Sequence, residues 1–381
     1  MTLSFVKTEK QQERYKIIEE LANQFSENAS EVDEKGEFPL HHFELLKQAG
    51  YTKWTLPKVF GGEEISLYEM LLYQERLAKG DGSTALCIGW HVGIVMDLWE
   101  KKSWDQKTLT YIMNKVADGA LINSAATEPQ TGSPTRGGKP HSTARKVENG
   151  WIMTGHKTFT TASPVLDYFF VKAAINGTDQ IGNFIVPSKL EGVKIEETWD
   201  MIAMRGTGSH DLILSEVRLP TESLAEIFAI EKNAKPNGWL LHIPACYMGI
   251  ALAARDYAVE FAASYSPNSI SGAIKDLPNV QRLVGEMELE LMSARHFMYA
   301  VAEKWDHGQN REEMQGELAA VKSVVTNTAI SVVDKAMRIV GARSLQRSTP
   351  LQRYYRDVRA GLHNPPMDDM TVINLAKEAF R

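Results

Sequence analysis

The 381 residues carry 42 Lys and Arg against 48 Asp and Glu, a net charge of −6, with 43% hydrophobic and 24% charged residues. That balance suits a large globular protein of two or three subdomains and supplies no overall basic field for nucleic acid. The two cysteines, Cys87 and Cys246, stand far apart in apolar surroundings, which excludes a disulfide framework and any cysteine-rich metal centre; no metal is expected.

From Thr8 to about Gly119 the pattern is helical. Apolar residues recur every three or four positions in Tyr15-Lys-Ile-Ile-Glu-Glu-Leu-Ala and in Leu67-Tyr-Glu-Met-Leu-Leu-Tyr, punctuated by Pro39 and Gly61-Gly62. The charged start of the chain lacks an apolar signal region, so a cytoplasmic location is the default expectation. From about Leu121 the texture changes to short alternating runs bounded by Gly, Pro, Asn or Ser, such as Trp151-Ile-Met-Thr-Gly and Tyr168-Phe-Phe-Val-Lys-Ala-Ala, which read as strands. Asn149-Gly150 between two of them predicts a hairpin.

Helical periodicity returns after the loop Asn233–Gly238 and persists. Long amphipathic segments run from about Val280 to Trp305 and from about Glu312 to Val340, lengths that suit a helical bundle and an oligomer interface. The longest apolar stretch, Trp239 to Ala254, is broken by His242 and Pro244 and is too short to span a bilayer. The expected organisation is an α+β chain of three domains. An N-terminal helical domain takes residues 1–119, a central β-barrel or sandwich domain 120–222, and a C-terminal helical bundle 223–381.

No phosphate-binding G-x-x-x-x-G-K-[ST] loop, dinucleotide G-x-G-x-x-G turn, H-E-x-x-H zinc helix or G-x-S-x-G elbow occurs. Three other segments stand out. They are Asn123-Ser-Ala-Ala-Thr-Glu-Pro-Gln-Thr-Gly-Ser-Pro134, Asn149-Gly-Trp-Ile-Met-Thr-Gly-His-Lys-Thr-Phe-Thr-Thr161 and Met204-Arg-Gly-Thr-Gly-Ser-His-Asp211. The first offers hydroxyls and a glycine turn whose backbone N–H groups suit a phosphate or a ring carbonyl, although a Gly-Ser turn alone is usually an ordinary loop. In this order and spacing the three resemble the acyl-CoA dehydrogenase superfamily across nearly the whole chain. The resemblance implies a flavin, FMN or FAD. Asn123, Thr127, Phe159 and Thr161 would border its ring, and Gly132 and Ser133 its phosphates.

Several positions depart from that pattern. Pro134 replaces a common aspartate, and Phe159 a common tryptophan. The family's proton-abstracting glutamate, counted from Arg356-Asp357, falls on Pro365, and its alternative position falls near Trp239. Asp368 and Asp369 lie close in sequence but out of register. The elements that hold the adenylate half of FAD read Pro267-Asn-Ser-Ile270 and Arg338, which turns the expectation toward FMN.

Histidines stand where the carboxylate is missing. Leu362-His363-Asn364-Pro365 and Trp90-His91-Val92 resemble the two-component monooxygenase branch of the superfamily, typified by dibenzothiophene monooxygenase, in which both histidines face the flavin. A group titrating near neutral pH suits the holding or delivery of a proton during oxygen activation. His91 also fits a satisfied core residue in an apolar helix. His363 lies between Gly361 and two prolines, where a rigid backbone favours a placed side chain. His156 and His210 read as structural, and His41, His42 and His307 as solvent-facing. Six arginines crowd residues 338–359; most fit intersubunit ion pairs, and Arg343 is the candidate for a flavin phosphate.

The leading expectation is a reduced-flavin monooxygenase of a small apolar, sulfur- or nitrogen-containing substrate, fed by a separate flavin reductase and assembled as a homotetramer or homodimer. The alternatives are an FAD-dependent acyl-CoA dehydrogenase with Asp368, Asp369 or a glutamate elsewhere in the chain as base, and a degenerate flavin-fold scaffold. Retained polar groups around a ring argue against the scaffold.

Overall fold

The structure is a computed structural model that describes residues 5–131, 138–228, 236–308 and 310–380. Its first helices are α1 (Glu9–Lys35), α2 (Leu40–Gln48), α3 (Leu67–Gly80), α4 (Gly82–Lys101) and α5 (Gln106–Ala117). Local chemistry fixes their starts. Thr8 caps α1, Ser66 and Glu69 form a reciprocal capping box on α3, and the Asp81 and Asp105 carboxylates accept the first free N–H groups of α4 and α5. Gly36 ends α1 in the left-handed conformation that a side chain would oppose.

Among the described residues eight strands follow: β1 (Ile122–Ala125), β2 (Thr143–Val147), β3 (Gly150–Thr160), β4 (Tyr168–Ile175), β5 (Ile181–Pro187), β6 (Val193–Glu196), β7 (His210–Leu219) and β8 (Leu224–Phe228). They form one mixed sheet in the order β6-β7-β3-β2-β4-β5-β8, with β1 parallel to β4. The hairpin predicted at Asn149-Gly150 joins β2 to β3. The sheet runs past the expected boundary at residue 222, because β8, only five residues long and hidden behind Pro220, pairs antiparallel with β5.

The C-terminal helices are α6 (His242–Ser264), α7 (Pro278–Asp306), α8 (Gln315–Val340), α9 (Leu351–Ala360) and α10 (Asp368–Ala379). The ends of α7 and α8 fall within a few residues of those read from periodicity. Helix α6 is the hub, packing on α3, α4, α8 and α9. Its small residues allow close approach: a β-carbon at Gly249 would strike the Glu75 carbonyl of α3. Among the described residues no helix is long and apolar enough to cross a membrane.

Candidate functional site

The three segments singled out in the sequence converge at one end of the sheet. The pairing of β3 with β7 shifts register between Lys157 and Thr160. At that irregularity Phe159 adopts φ 56°, a left-handed conformation costly for an aromatic residue, and its ring stands 54% exposed. Bulges of this kind re-aim a side chain next to functional sites. Around Phe159 the polar groups are fixed. Thr158 N donates to Thr127 O (2.9 Å), and the buried Asn123 side chain donates to Thr161 O (2.9 Å). Ser209 Oγ donates to Thr161 Oγ1 at 3.0 Å. Trp199 meets the Phe159 ring edge to face, 5.9 Å between centroids at 81°.

An exposed aromatic ring on strained backbone, flanked by hydroxyls and a carboxamide locked from behind, fits a flat polar heterocycle. Asn123, Thr127, Phe159 and Thr161 are thus brought together. Gly132 and Ser133 lie outside the described residues.

A buried ion pair anchors this wall. Lys157 Nζ lies 2.6 Å from Glu128 Oε1, both nearly inaccessible to solvent. Burial alone would raise the Glu128 carboxyl, but hydrogen bonds from Lys157 and from Ser142 outweigh it and hold it at about 2. His141 N also donates to it, at 2.7 Å. Glu128 and Lys157 lie inside the sequence motifs, and the alternation of β3, which puts Lys157 on the inward face, is the signal that marks the pair.

The third segment ties the sheet to the helical domain. Met204, at φ 51°, donates its N–H to Asp357 Oδ1 on α9 (2.6 Å). Burial pushes the Asp357 carboxyl up to about 7. Next to it, Arg356 grips Asp33 of α1 with both terminal nitrogens, at 2.9 and 2.5 Å. Arg353 reaches Ser30 (2.9 Å) and Arg359 reaches Asp334 (3.0 Å), so each of these three arginines has a partner within the chain. Arg343 stands exposed after α8, its guanidinium carbon 4.5 Å over the Tyr265 ring.

One turn beyond α9, His363 lies exposed in the short 3-10 turn Gly361–His363. The segment is pinned from below: Tyr247 of α6 donates its hydroxyl to Asn364 Oδ1 at 2.6 Å, and Gly361 packs against the Tyr247 ring. The carboxylates nearby are engaged elsewhere. Asp368 accepts from Asn327 (2.6 Å) and Lys322 (3.4 Å) of α8, and Asp369 accepts from Met370 N.

His91 is a buried peg. Its Nε2–H donates to Thr52 O (2.9 Å), and its Nδ1 accepts from Ile122 N (3.1 Å) at the start of β1. Burial lowers its pKa to about 4, so it is a neutral ring with no free nitrogen. The catalytic expectation for His91 therefore gives way to the satisfied-core one. His42 is likewise not solvent-facing: it is 1% exposed and bonded to Thr84 Oγ1 and Asn28 Oδ1, both at 2.7 Å. His156 pairs with Asp211 (2.6 Å), and His210 accepts from Thr198 N and Trp199 N.

Comparison with known proteins places these elements in one family. The family model "Acyl-CoA dehydrogenase, N-terminal domain" matches residues 8–113, the middle-domain model residues 123–217 and the C-terminal-domain model residues 241–364. The chain is 54% identical, over 99% of both chains, to the Bacillus subtilis (strain 168) protein named "Putative acyl-CoA dehydrogenase YdbM". It is 25% identical to the dibenzothiophene monooxygenase of Mycolicibacterium goodii, over 96% of this chain and 94% of that one. The crystal structure of FMN-bound TdsC from Paenibacillus sp. A11-2 superposes with a TM-score of 0.83 at 21% identity, covering 94% and 95% of the two chains.

Proposed function

This chain belongs to the acyl-CoA dehydrogenase family of flavin-dependent oxidoreductases, and from that premise we propose that it oxygenates its substrate with reduced flavin rather than desaturating an acyl thioester. The observation that carries the reading is that no carboxylate stands at either of the two positions where relatives place their base. Pro365 and Trp239 occupy the two positions, and Asp368 is tied to Asn327 and Lys322. A thioester α-proton is far too weakly acidic to leave without a placed base. What that segment offers instead is the exposed imidazole of His363 on a pinned turn.

Bound reduced flavin would supply two electrons to dioxygen, one oxygen atom going to the substrate and the other to water. This chain's residues would do the rest. Phe159 and Trp199 would cover the ring, while Thr127, Thr161 and Asn123 would hold its polar edge. His363 would hold or deliver a proton at the oxygen-bearing face. The altered Pro267–Ile270 and Arg338 elements favour FMN, the flavin named in the TdsC structure. Arg343 would meet a flavin phosphate brought by a second copy of the chain, in a homotetramer or homodimer. A small apolar or sulfur- or nitrogen-containing substrate and a separate reductase complete the proposal. The YdbM name favours the second reading, an FAD-dependent acyl-CoA dehydrogenase.

Loading the protein with FMN or FAD and adding an acyl-CoA under anaerobic conditions separates the two. The expected outcome is no bleaching of the flavin band, together with tight binding of reduced FMN and flavin-dependent oxygenation. Rapid bleaching of bound FAD would sink the oxygenase reading. His363→Ala should then abolish product formation with flavin affinity nearly unchanged, and wild-type turnover in that variant would remove His363 from the mechanism.

A further inference from the structure

At the junction of α3, α4 and α6 stands a further buried histidine that the site described above does not use. His242, the first residue of α6, has no exposed surface, and neither ring nitrogen has a hydrogen-bond partner. Beside it, Gln74 of α3 donates its amide to Ala85 O, while its Oε1 is also buried and unpartnered. The two side chains abut the same backbone: a β-carbon at Gly89 would overlap both His242 Nδ1 and Gln74 Nε2. Three orphan polar atoms in one place are unusual in a protein interior, where such groups are almost always satisfied. Other buried atoms of this kind include Tyr51 Oη, Trp151 Nε1 and, on the wall of the same nest, Trp239 Nε1.

The walls around them are aromatic. Trp239 lies parallel to the His242 ring at 5.9 Å (6°), and Trp90 meets it edge-on at 4.9 Å (73°). The two indoles contact each other at 5.6 Å, and both are only half-buried. A neutral imidazole offers one N–H donor and one acceptor, and the glutamine oxygen adds a second acceptor. Among the described residues no cation is bonded to His242 or to Gln74 Oε1, so a carboxylate or phosphate would find no counter-charge on them. The complement is an uncharged group that both donates and accepts, carried on a flat apolar body that the indoles can cover.

We propose that His242 and Gln74 form the polar end of a substrate pocket walled by Trp90 and Trp239, which selects a neutral hydroxyl-bearing, preferably aromatic, small molecule. The proposal rests on the oxygenase reading only in taking this nest as the place where the substrate's body lies.

Titration of the flavin-free, full-length protein with phenol and with toluene, which lacks the hydroxyl, tests it without any reaction. Phenol is expected to bind about tenfold more tightly than toluene. In His242→Phe that preference should fall to within about twofold, while the melting temperature of the ligand-free protein rises by about 2 °C because a buried unpaired polar group is gone. Gln74→Leu should weaken the preference by a smaller factor and guards against a folding failure in the first variant. Equal binding of the two probes, binding of neither, or an undiminished phenol preference in both variants would overturn the proposal and leave a trapped water as the occupant. Since no flavin is present, that outcome would leave the oxygenase reading standing. Conversely, acyl-CoA bleaching of the loaded protein would not touch the binding preference.

Discussion

Two junctions of helix α4 each bury a histidine, and they are opposites. Where α4 meets β1, His91 has both nitrogens spent, one on Thr52 O and one on Ile122 N. Where α4 meets α3 and α6, His242 has both nitrogens idle. Burial is nearly the same, and burial lowers both pKa values, to about 4 for His91 and about 3 for His242. Burial therefore does not separate a structural imidazole from one free to meet a ligand. Partnership does: a ring holding two backbone groups is part of the fold, and a ring holding none costs stability until something joins it.

The largest test of this contrast is His91→Ala. Truncation leaves a backbone carbonyl and a backbone N–H buried without partners and opens a cavity between α4 and β1. A loss of about 3–5 kcal/mol is expected, at roughly 1–3 kcal/mol for each orphaned group. Urea denaturation measures it. A loss below about 1 kcal/mol would show that the peg is dispensable and would reopen His91 as a functional residue.

This contrast also marks how far the sequence could be read. The helical, sheet and helical blocks were legible because period 3.6 and period 2 write themselves along a chain, as did the α7 and α8 boundaries. Asn123, Thr127, Phe159 and Thr161 were reachable through the resemblance of two short segments to a known family, and the bonds of Thr158 N to Thr127 O and of Asn123 to Thr161 O bring them together. The role of Asp357 was not, since the bond to Met204 joins residues 153 positions apart. His91 and His242 both sit in apolar helical runs, and nothing local distinguishes them. Their difference lies in Thr52, Ile122 and Gln74, which only the tertiary fold brings near. His42 was misjudged for the same reason: its partners come from α1 and α4.

A smaller effect should appear in the pH dependence. Both rings are neutral in the folded protein, whereas in the unfolded chain a histidine binds its proton near pH 6.5. Between about pH 6 and pH 4 the unfolded state therefore holds one more proton per ring, and stability falls as pH falls by about 1.4 kcal/mol per pH unit for each. The Asp357 carboxyl, raised to about 7, acts in the opposite sense: above its unfolded value it keeps a proton that the unfolded chain releases, so its contribution declines as pH rises toward 7. Subtracting the curve of His242→Phe from that of the parent cancels Asp357 and His91. The difference should slope by about 1.4 kcal/mol per pH unit over that window. A flat difference would mean that His242 is already protonated or solvated in the fold, and the contrast between the two junctions would collapse.

The smallest effect concerns Gln74. Gln74→Met keeps the volume, removes one satisfied amide nitrogen and one idle oxygen, and leaves Ala85 O to lose its partner. The loss of the paired donor costs about 1 kcal/mol, and removal of the unpaired oxygen returns a similar amount, so the net change should stay within about 1 kcal/mol of zero. A hydrogen-bonded core glutamine would behave otherwise, since removing two satisfied groups gives a loss without the compensating gain. Thermal unfolding of this variant beside His91→Ala thus places the two junctions on one scale. If Gln74→Met proved as damaging as His91→Ala, its oxygen must already have a partner, and the idle cluster around His242 would be an ordinary piece of core.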